Sequence, residues 1–517
     1  MTRTDRASPG VTVSVHAFQT RITSPERLRC TLCLVVFCLL GSACGLHDQE
    51  ERVDRDAIFV EDRVVQWVIS VGDEDWRKLL LEQAEYVPAE VEVDGVLYEN
   101  VGLRMVGNKN RAKFSMRIRF NRFDPVLRFH GVKRINLFNN AGDPSLVREA
   151  LALELMRNAG VPAPRSSLVW VEMGDGGGVY TLVEQVDNRF LEDRFAEDSG
   201  ELYKLERGAN LVYRGDELES YDWLNSYELK ADAENVQGTA LVGLMKTLDL
   251  SSTEELRRAL PRVLDVDGFL LLLAVNSWLA NMDSYAGTGG NLYLYRDSRG
   301  RFRGVACILN LAHGNYHGRH CKLGEDEERC RQTSTAFCES ACQRTGAECP
   351  EYCVEYYAEL CVEHHSEFCR YTSRDDAEEE ACRENAPEYC GYTTDEMLAL
   401  HPDVPTCSTS RPLVERVLAV PAFKQLYHDR LQQLIDGVLE PGSVEARAER
   451  MRMLVSDQAA MDVGRDCYDC ARDFEASFTT DLLLDVEDRW EERVPGLLPF
   501  ARARDEVIRE ALRGNRE

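Results

Sequence analysis

The sequence predicts an α+β fold with a strand-rich first half and a mainly helical second half, and three patterns indicate it. Apolar and polar residues alternate over much of residues 58–120, which is typical of strands with one buried face. Apolar residues at helical spacing then begin after Ser145, and this helix is expected to end at Gly160. Residues 266–279 are almost uninterruptedly apolar, which predicts a helix buried on most sides.

Two hairpins are predicted around turn sequences. Residues 168–171 and 179–186 flank a run of glycines, which favours a tight connection between two strands. Residues 291–295 and 302–309 flank a second turn and are expected to pair in the same way. The order is therefore strands, one helix, a hairpin and then mostly helices.

Composition limits the classes of function. The chain has 517 residues and 44% hydrophobic residues, enough for two or three domains with their own cores. Its net charge of −28 disfavours nucleic acid as a partner, because phosphates require a basic surface.

The N-terminus predicts export. Residues 30–40 are apolar, too few to span a bilayer, and two arginines precede them as in a signal peptide. Small residues before Cys44 resemble a bacterial lipobox, which would place a diacylglycerol on Cys44 and make the protein a cell-envelope lipoprotein. Gly41 stands where a lipobox usually has leucine, so ordinary signal cleavage and a soluble secreted protein is the alternative.

Cysteine usage also favours export. Of 18 cysteines, 14 follow Cys44, and this even number would allow complete disulfide pairing, including Cys307, in an oxidising compartment. Eleven of them lie in residues 321–407, an acidic segment with CxxxC spacings that predict a helical subdomain joined by disulfides. Its acidic surface is either a solvated face or a site for calcium or a basic partner.

A series of short motifs occurs in a fixed order: Arg104-x-x-Gly-Asn, Lys113-Phe-Ser, Gly160-Val-Pro-Ala-Pro, Gly178-x-Tyr with Glu184, Asn281-x-Asp283 and Asn291-Leu-Tyr. With these motifs, residues 58–316 and the chain from about 411 resemble the CotH family of atypical, secreted, kinase-like proteins. The resemblance implies a two-lobe, protein-kinase-like α+β fold, which the disulfide-rich insertion interrupts.

The predicted organisation has six segments: a signal peptide with its lipobox (1–44), a tether (45–57), a β-rich lobe with one main helix (58–205), a helical lobe with an Asp/Asn site (206–320), the cysteine-rich insertion (321–407) and a C-terminal helical part (408–517).

The resemblance implies transfer of phosphate from ATP to protein hydroxyls with the aid of Mg²⁺ or Mn²⁺. Gly107 and Asn108 would form a turn over the phosphates, where the absence of a side chain lets backbone N–H groups approach. Lys113 would contact the α- and β-phosphates. Arg117 and Arg119 are rivals for that role, because strand alternation places all three on one face.

Further roles follow from the same resemblance. Glu149 or Glu184 would orient the lysine, and Asp283 would accept the proton of the attacking hydroxyl or position it. Asn291 and Asn310 would bind the metal through amide oxygens. Each residue taken alone is equally typical of an ordinary turn, strand or helix position, and only their combined order favours a site.

One departure from the family pattern limits the expected activity. Ile308 stands where the family usually supplies the main Mg²⁺ carboxylate, and isoleucine has no oxygen to offer. Three hypotheses follow: a weak extracytoplasmic kinase, a pseudokinase that binds nucleotide or a protein partner, and a structural surface or coat lipoprotein. Membrane contact is expected only through a lipid on Cys44.

Overall fold

The computed structural model describes these residues: 54–80, 85–107, 113–174, 176–206, 209–221, 226–230, 238–315, 394–403, 411–462, 470–486 and 490–514. They belong to one unit, Asp54–Glu517. The predicted signal peptide, Cys44, Asn108 and all cysteines of the insertion lie outside the described residues.

Seven strands of the first half form a closed barrel in the order β1-β2-β3-β4-β5-β7-β6. β1 and β6 pair in parallel and close it, and the other neighbours are antiparallel. The strands are β1 (Val65–Ser70), β2 (Val87–Val93), β3 (Val96–Val106), β4 (Ser115–Arg119), β5 (Arg134–Phe138), β6 (Ser166–Met173) and β7 (Gly176–Glu184).

The barrel interior follows from the alternation seen in the sequence. Successive side chains of a strand point to opposite faces, so Leu103 and Met105 of β3 and Met116 and Ile118 of β4 are buried. The intervening residues, including Arg104, point to the other face. The predicted hairpin of β6 and β7 is confirmed, with pairing from Ser166↔Val183 to Met173↔Gly176.

Four helices accompany the barrel: α1 (Arg55–Ile58), α2 (Asp73–Leu80), α3 (Arg148–Asn158) and α4 (Asn188–Phe195). α3 is the main helix predicted after Ser145, and it is buried along most of its length. Its first turn is fixed by Asp143, which accepts hydrogen bonds from the Arg148 N–H at 2.8 Å and from the Arg148 guanidinium.

A second, antiparallel sheet has the order β11-β10-β8-β9. Its strands are β8 (Glu201–Leu205), β9 (Tyr227–Leu229), β10 (Leu292–Arg296) and β11 (Phe302–Ala306). β10 and β11 pair from Leu292↔Ala306 to Arg296↔Phe302, which confirms the second predicted hairpin.

The second half is mainly helical, as predicted. Its central helix, Val266–Trp278, is buried on most sides, with Leu270 and Val275 fully enclosed. The helices are α5 (Thr239–Leu250), α6 (Thr253–Val263), α7 (Val266–Trp278), α8 (Thr394–Leu398), α9 (Pro412–Leu418), α10 (Pro421–Ile435), α11 (Pro441–Ala459), α12 (Cys470–Thr479) and α13 (Leu497–Gly514), with a hairpin of β12 (Leu482–Val486) and β13 (Trp490–Val494). Among the helices described, none has the length and apolar character that crossing a membrane requires.

Candidate functional site

The loop after α7 brings two predicted site residues together. Asn291 immediately precedes β10, and its Nδ2 donates a hydrogen bond to the backbone carbonyl of Asp283 at 2.8 Å. The Asp283 carboxylate accepts a hydrogen bond from the Thr288 hydroxyl at 3.2 Å. Both Asp283 and Asn291 are partly exposed, so their side chains remain reachable from solvent.

Glu149 contacts the same region from the first turn of α3. Its side chain is buried, and both carboxyl oxygens accept a hydrogen bond from the Leu309 N–H, at 3.0 and 2.9 Å. Burial raises the pKa of Glu149 to about 8; the Leu309 N–H opposes this rise, while the charges of Asp283 and Asp143 add to it. Glu149 is therefore largely protonated at neutral pH and ties α3 to the chain that follows β11.

This raised pKa has a measurable consequence for stability. Between the ordinary value of 4.5 and about 8, native Glu149 holds a proton that the unfolded chain releases, so stability falls as pH rises through this window. We expect Glu149→Gln to remove that fall, measured as the free energy of unfolding in denaturant at pH 5, 6.5 and 8.

The exposed Glu254 in the first turn of α6 provides the control. Glu254→Gln should keep the wild-type decline from pH 5 to pH 8. An unchanged decline in Glu149→Gln as well would contradict the assignment.

Ile308 lies one residue before the amide that Glu149 binds. Its φ of +50° is in the left-handed region, where a β-branched side chain is strained and asparagine, aspartate or glycine is favoured. The side chain packs against a cluster that includes Tyr293 and Cys307. Position 308 thus has a backbone conformation suited to aspartate and an apolar side chain.

The donor atoms present do not fit a kinase-like magnesium site with two anionic ligands. Asp283 is a partly exposed carboxylate that accepts from Thr288, Glu149 is largely protonated and bound to Leu309, and Ile308 has no donor atom. Asn310 is exposed, with its backbone carbonyl accepting from Asn315. Within the described ranges, no group of three or more His, Cys, Asp or Glu side chains could hold a metal ion.

Lys113, predicted to contact phosphates, has a different environment. Its Nζ lies 2.8 Å from Oδ2 of Asp462, donates to the Val179 carbonyl at 2.8 Å, and sits 4.8 Å from the centre of the Tyr180 ring. Asp462 also accepts the Val179 N–H at 2.8 Å. Lys113 precedes β4, so strand alternation does not place it on the face of Arg117. The predicted pairing of Lys113 with Glu149 or Glu184 is therefore wrong.

Glu184 instead joins three arginines. It forms ion pairs with Arg194 at 2.9 Å and Arg55 at 3.4 Å, and it accepts the Arg165 N–H at 3.0 Å. This arrangement fixes α1 and α4 to the end of β7. It gives Glu184 a structural role in place of the predicted one.

The predicted turn over the phosphates is described only at its start. Gly107 directly follows β3 with a φ of +69°, a conformation that glycine adopts without strain. Asn108 lies outside the described residues. Its role remains a prediction.

Arg117, one of the two rivals of Lys113, is partly exposed on the outer face of β4. Its Nε donates to Oδ1 of Asn136 at 2.8 Å. Burial lowers the pKa of Arg117, the positive charge of Arg104 lowers it further, and the Tyr86 and Tyr293 hydroxyls act in the opposite direction. Arg117 is thus linked electrostatically to Tyr293 of β10.

Cys307 lies between these groups and is a free, buried thiol. Burial raises the pKa of Cys307 to about 12; Lys204 opposes the rise, and the charges of Glu206, Glu149 and Asp283 add to it. Cys307 is thus unpaired among the described residues, and the predicted disulfide pairing of the other cysteines after Cys44 lies outside the described side chains and stays a prediction. The thiol packs against the second sheet and is influenced by the charges of Glu149 and Asp283.

Sequence reasoning missed Asp462 and the role of Cys307. Asp462 follows α11, and its partner Lys113 lies 349 residues earlier, so no local pattern could signal the pair. Cys307 was counted with the disulfides, although its position next to Ile308 was a signal for the site.

Two comparisons concern single proteins. The inner spore coat protein H of Bacillus subtilis (strain 168) is 29% identical over 171 residues, which are 32% of this chain. The match spans 46% of that relative, or about half its length. The structure of the Helicobacter pylori proinflammatory kinase CtkA aligns over 68% of this chain and 95% of its own, at 10% identity and a TM-score of 0.19, which is too low to support a conclusion.

A family model described as CotH kinase protein matches residues 103–361 and 394–508. These ranges cover well over half of the chain and include the Arg117, Glu149, Asp283 and Ile308 region. The resemblance that the motifs indicated is thus confirmed, and the chain belongs to the CotH kinase family.

Proposed function

We propose that this kinase-like chain binds ATP between the Arg117 face of the barrel and the second sheet, and that its phosphoryl transfer is impaired at Ile308. The observation that carries the proposal is Ile308 itself. It has a φ of +50°, and it stands in the region that Glu149 and Asp283 approach. Membership of the CotH kinase family supports a kinase-like cleft here, and in this proposal the apolar side chain of Ile308 takes the place of its main metal carboxylate.

Arg117 is the better candidate than Lys113 for contact with the phosphates. Lys113 is held by Asp462 and Val179, whereas the charge of Arg117 is partnered by the amide of Asn136. A guanidinium can donate two parallel hydrogen bonds to a phosphate group. Asp283 is proposed to position the acceptor hydroxyl, and its carboxylate would hold the departing proton.

The loss at position 308 affects the charge balance of the reaction. Phosphoryl transfer depends on preorganised positive charge, which in kinases comes largely from metal ions held by protein carboxylates. With Asp283 as the remaining anionic group, a divalent cation would be held weakly. The rate would then fall by orders of magnitude.

The test is to restore the carboxylate. Ile308→Asp suits the left-handed backbone and adds an anionic ligand, so autophosphorylation with labelled ATP and Mg²⁺ is expected to rise at least about tenfold. Ile308→Asn is the matched control, because it has nearly the same size and backbone preference without the charge. Equal activities of Ile308→Asp, Ile308→Asn and the wild type would contradict the proposal.

A second candidate function is protein binding as a surface or coat lipoprotein. It is favoured by the apolar residue at position 308 and by the similarity of the chain to an inner spore coat protein. We extend this to export, with a lipid on Cys44 as the anchor. Metabolic labelling with a fatty acid should mark the wild type, while Cys44→Ala should remain unlabelled.

A further inference from the structure

Four arginines on neighbouring strands form what we call the arginine row: Arg104, Arg117, Arg119 and Arg134. The register places Arg104 of β3 opposite Arg117 of β4, and Arg119 of β4 opposite Arg134 of β5. They lie on the face opposite the buried interior of the barrel. Like charges directly opposite one another destabilise a sheet, so this arrangement requires an explanation.

Carboxylates compensate little of this charge. The Nε atoms of Arg117 and Arg119 donate to the neutral amides of Asn136 and Asn121, at 2.8 and 3.2 Å. Arg134 approaches an acid, Asp187, at 3.7 Å. For the other three arginines, no carboxylate among the described residues lies within ion-pairing distance.

One guanidinium atom of Arg104 also lacks a compensating partner in the described part of the chain. Its guanidinium lies 5.3 Å from the centre of the Tyr86 ring. Its Nε is shielded from solvent and has no hydrogen-bond partner within the described part of the chain. A buried N–H donor without an acceptor costs about 1–3 kcal/mol, which an anionic ligand would offset.

One member of the arginine row, Arg117, is linked electrostatically to the second sheet. Arg117 lies close enough to Tyr293 for the two to influence each other's protonation. Tyr293 and Cys307 belong to the cluster against which Ile308 packs. Tyr293 therefore connects Arg117 of the arginine row with the apolar cluster against which Ile308 packs.

We propose that the arginine row binds the phosphate chain of the nucleotide directly, so that this protein holds ATP without a divalent cation. The inference rests on the proposed function and deepens it. In a metal-dependent site the cation neutralises the phosphates, whereas here the guanidinium groups supply that charge from the barrel side. A nucleic acid is disfavoured as the anion, because the chain as a whole carries a charge of −28.

The experiment measures the thermal midpoint and the dissociation constant of the full chain with ATP, once in EDTA and once in Mg²⁺. We expect ATP to raise the midpoint in EDTA, with Mg²⁺ changing the dissociation constant by less than about threefold. Inorganic tripolyphosphate, tested in EDTA, separates recognition of the phosphate chain from recognition of the base.

Arg104→Gln and Arg117→Gln should each weaken binding in EDTA at least about tenfold, since each removes a charged hydrogen bond. Arg299→Gln, in the exposed turn between β10 and β11, has the same charge change and should bind like the wild type. Two variants are used so that a folding defect in one leaves the other as the test.

The possible outcomes are distinct. Binding of ATP in Mg²⁺ but not in EDTA would overturn the inference and leave the proposed function standing. Absence of binding under both conditions would overturn both. Tripolyphosphate binding in EDTA that is lost in Arg117→Gln, but kept in Arg299→Gln, would support the arginine row as a phosphate site.

Discussion

Asp462→Asn is expected to lower the free energy of unfolding by about 3–5 kcal/mol, because it removes the negative charge that pairs with the buried Lys113 ammonium group. The side chains of Lys113 and Asp462 are 4% and 0% exposed, and their charged atoms are 2.8 Å apart. Lys113→Met should have an effect of similar size, because it removes the positive charge that pairs with the buried Asp462 carboxylate. Equilibrium unfolding in urea at pH 7 measures both.

A double variant and an exposed pair complete this experiment. Lys113→Met combined with Asp462→Asn should be less destabilised than the sum of the single changes, since neither buried charge then remains. Lys246 and Asp216 form an ion pair of the same residue types at the surface. Lys246→Met should therefore change stability far less. If Lys113→Met and Lys246→Met lowered the free energy of unfolding equally, the buried pair would not hold the barrel to the segment after α11.

His313→Phe is expected to remove a strong acid sensitivity of the native state. The imidazole is buried next to Trp278 and Phe500, with ring centroids 6.4 and 5.5 Å away. Neither ring nitrogen has a hydrogen-bond partner among the described residues. Burial, together with the positive charge of Arg148, lowers the pKa of His313 from 6.5 to about 3.

The direction of this pH dependence follows from which state, native or unfolded, binds the proton. Between pH 6.5 and about 3 the unfolded chain protonates at His313 while the native state does not, so stability falls as pH falls. The loss is about 1.4 kcal/mol per pH unit, or about 4–5 kcal/mol over the window. Free energies of unfolding at pH 7, 5.5 and 4.5 should therefore decline less steeply in His313→Phe than in the wild type.

Asp403 forms a second acid-sensitive contact, which His313→Phe leaves unchanged. Burial raises its pKa, but hydrogen bonds from His428 and Lys424 outweigh burial and hold the pKa well below its usual range. Acid therefore also weakens this contact, and it does so equally in the wild type and in His313→Phe. Parallel pH profiles of the two proteins would show that His313 is not the acid-sensitive group.

Local patterns predicted much of the fold. The hairpin of β6 and β7, the hairpin of β10 and β11, and the buried helix α7 depend on alternation, turns and apolar periodicity, which neighbouring residues determine. The closure of the barrel was not predicted. It depends on parallel pairing of β1 with β6, such as Val65↔Val169, and no short-range pattern encodes this contact.

In the candidate site, too, short-range patterns were predictable and long-range contacts were not. Asp283 and Asn291 lie in one connected loop, and the sequence placed them together. Lys113 was misassigned, because its face depends on where β4 begins and on a partner from the far end of the chain. The arginines of β4 were recognised as alternatives, but their relation to Arg104 and Arg134 required the strand register.

The separation of Lys113 from Asp462 bears on how the protein is made. The barrel strands are synthesised first, yet the counter-charge for Lys113 emerges only 349 residues later. Until then, a nascent N-terminal lobe must either keep this ammonium group hydrated or remain partly open. Contacts of such long range slow folding, so assembly of the lobe is expected to finish only after α11 has left the ribosome and docked.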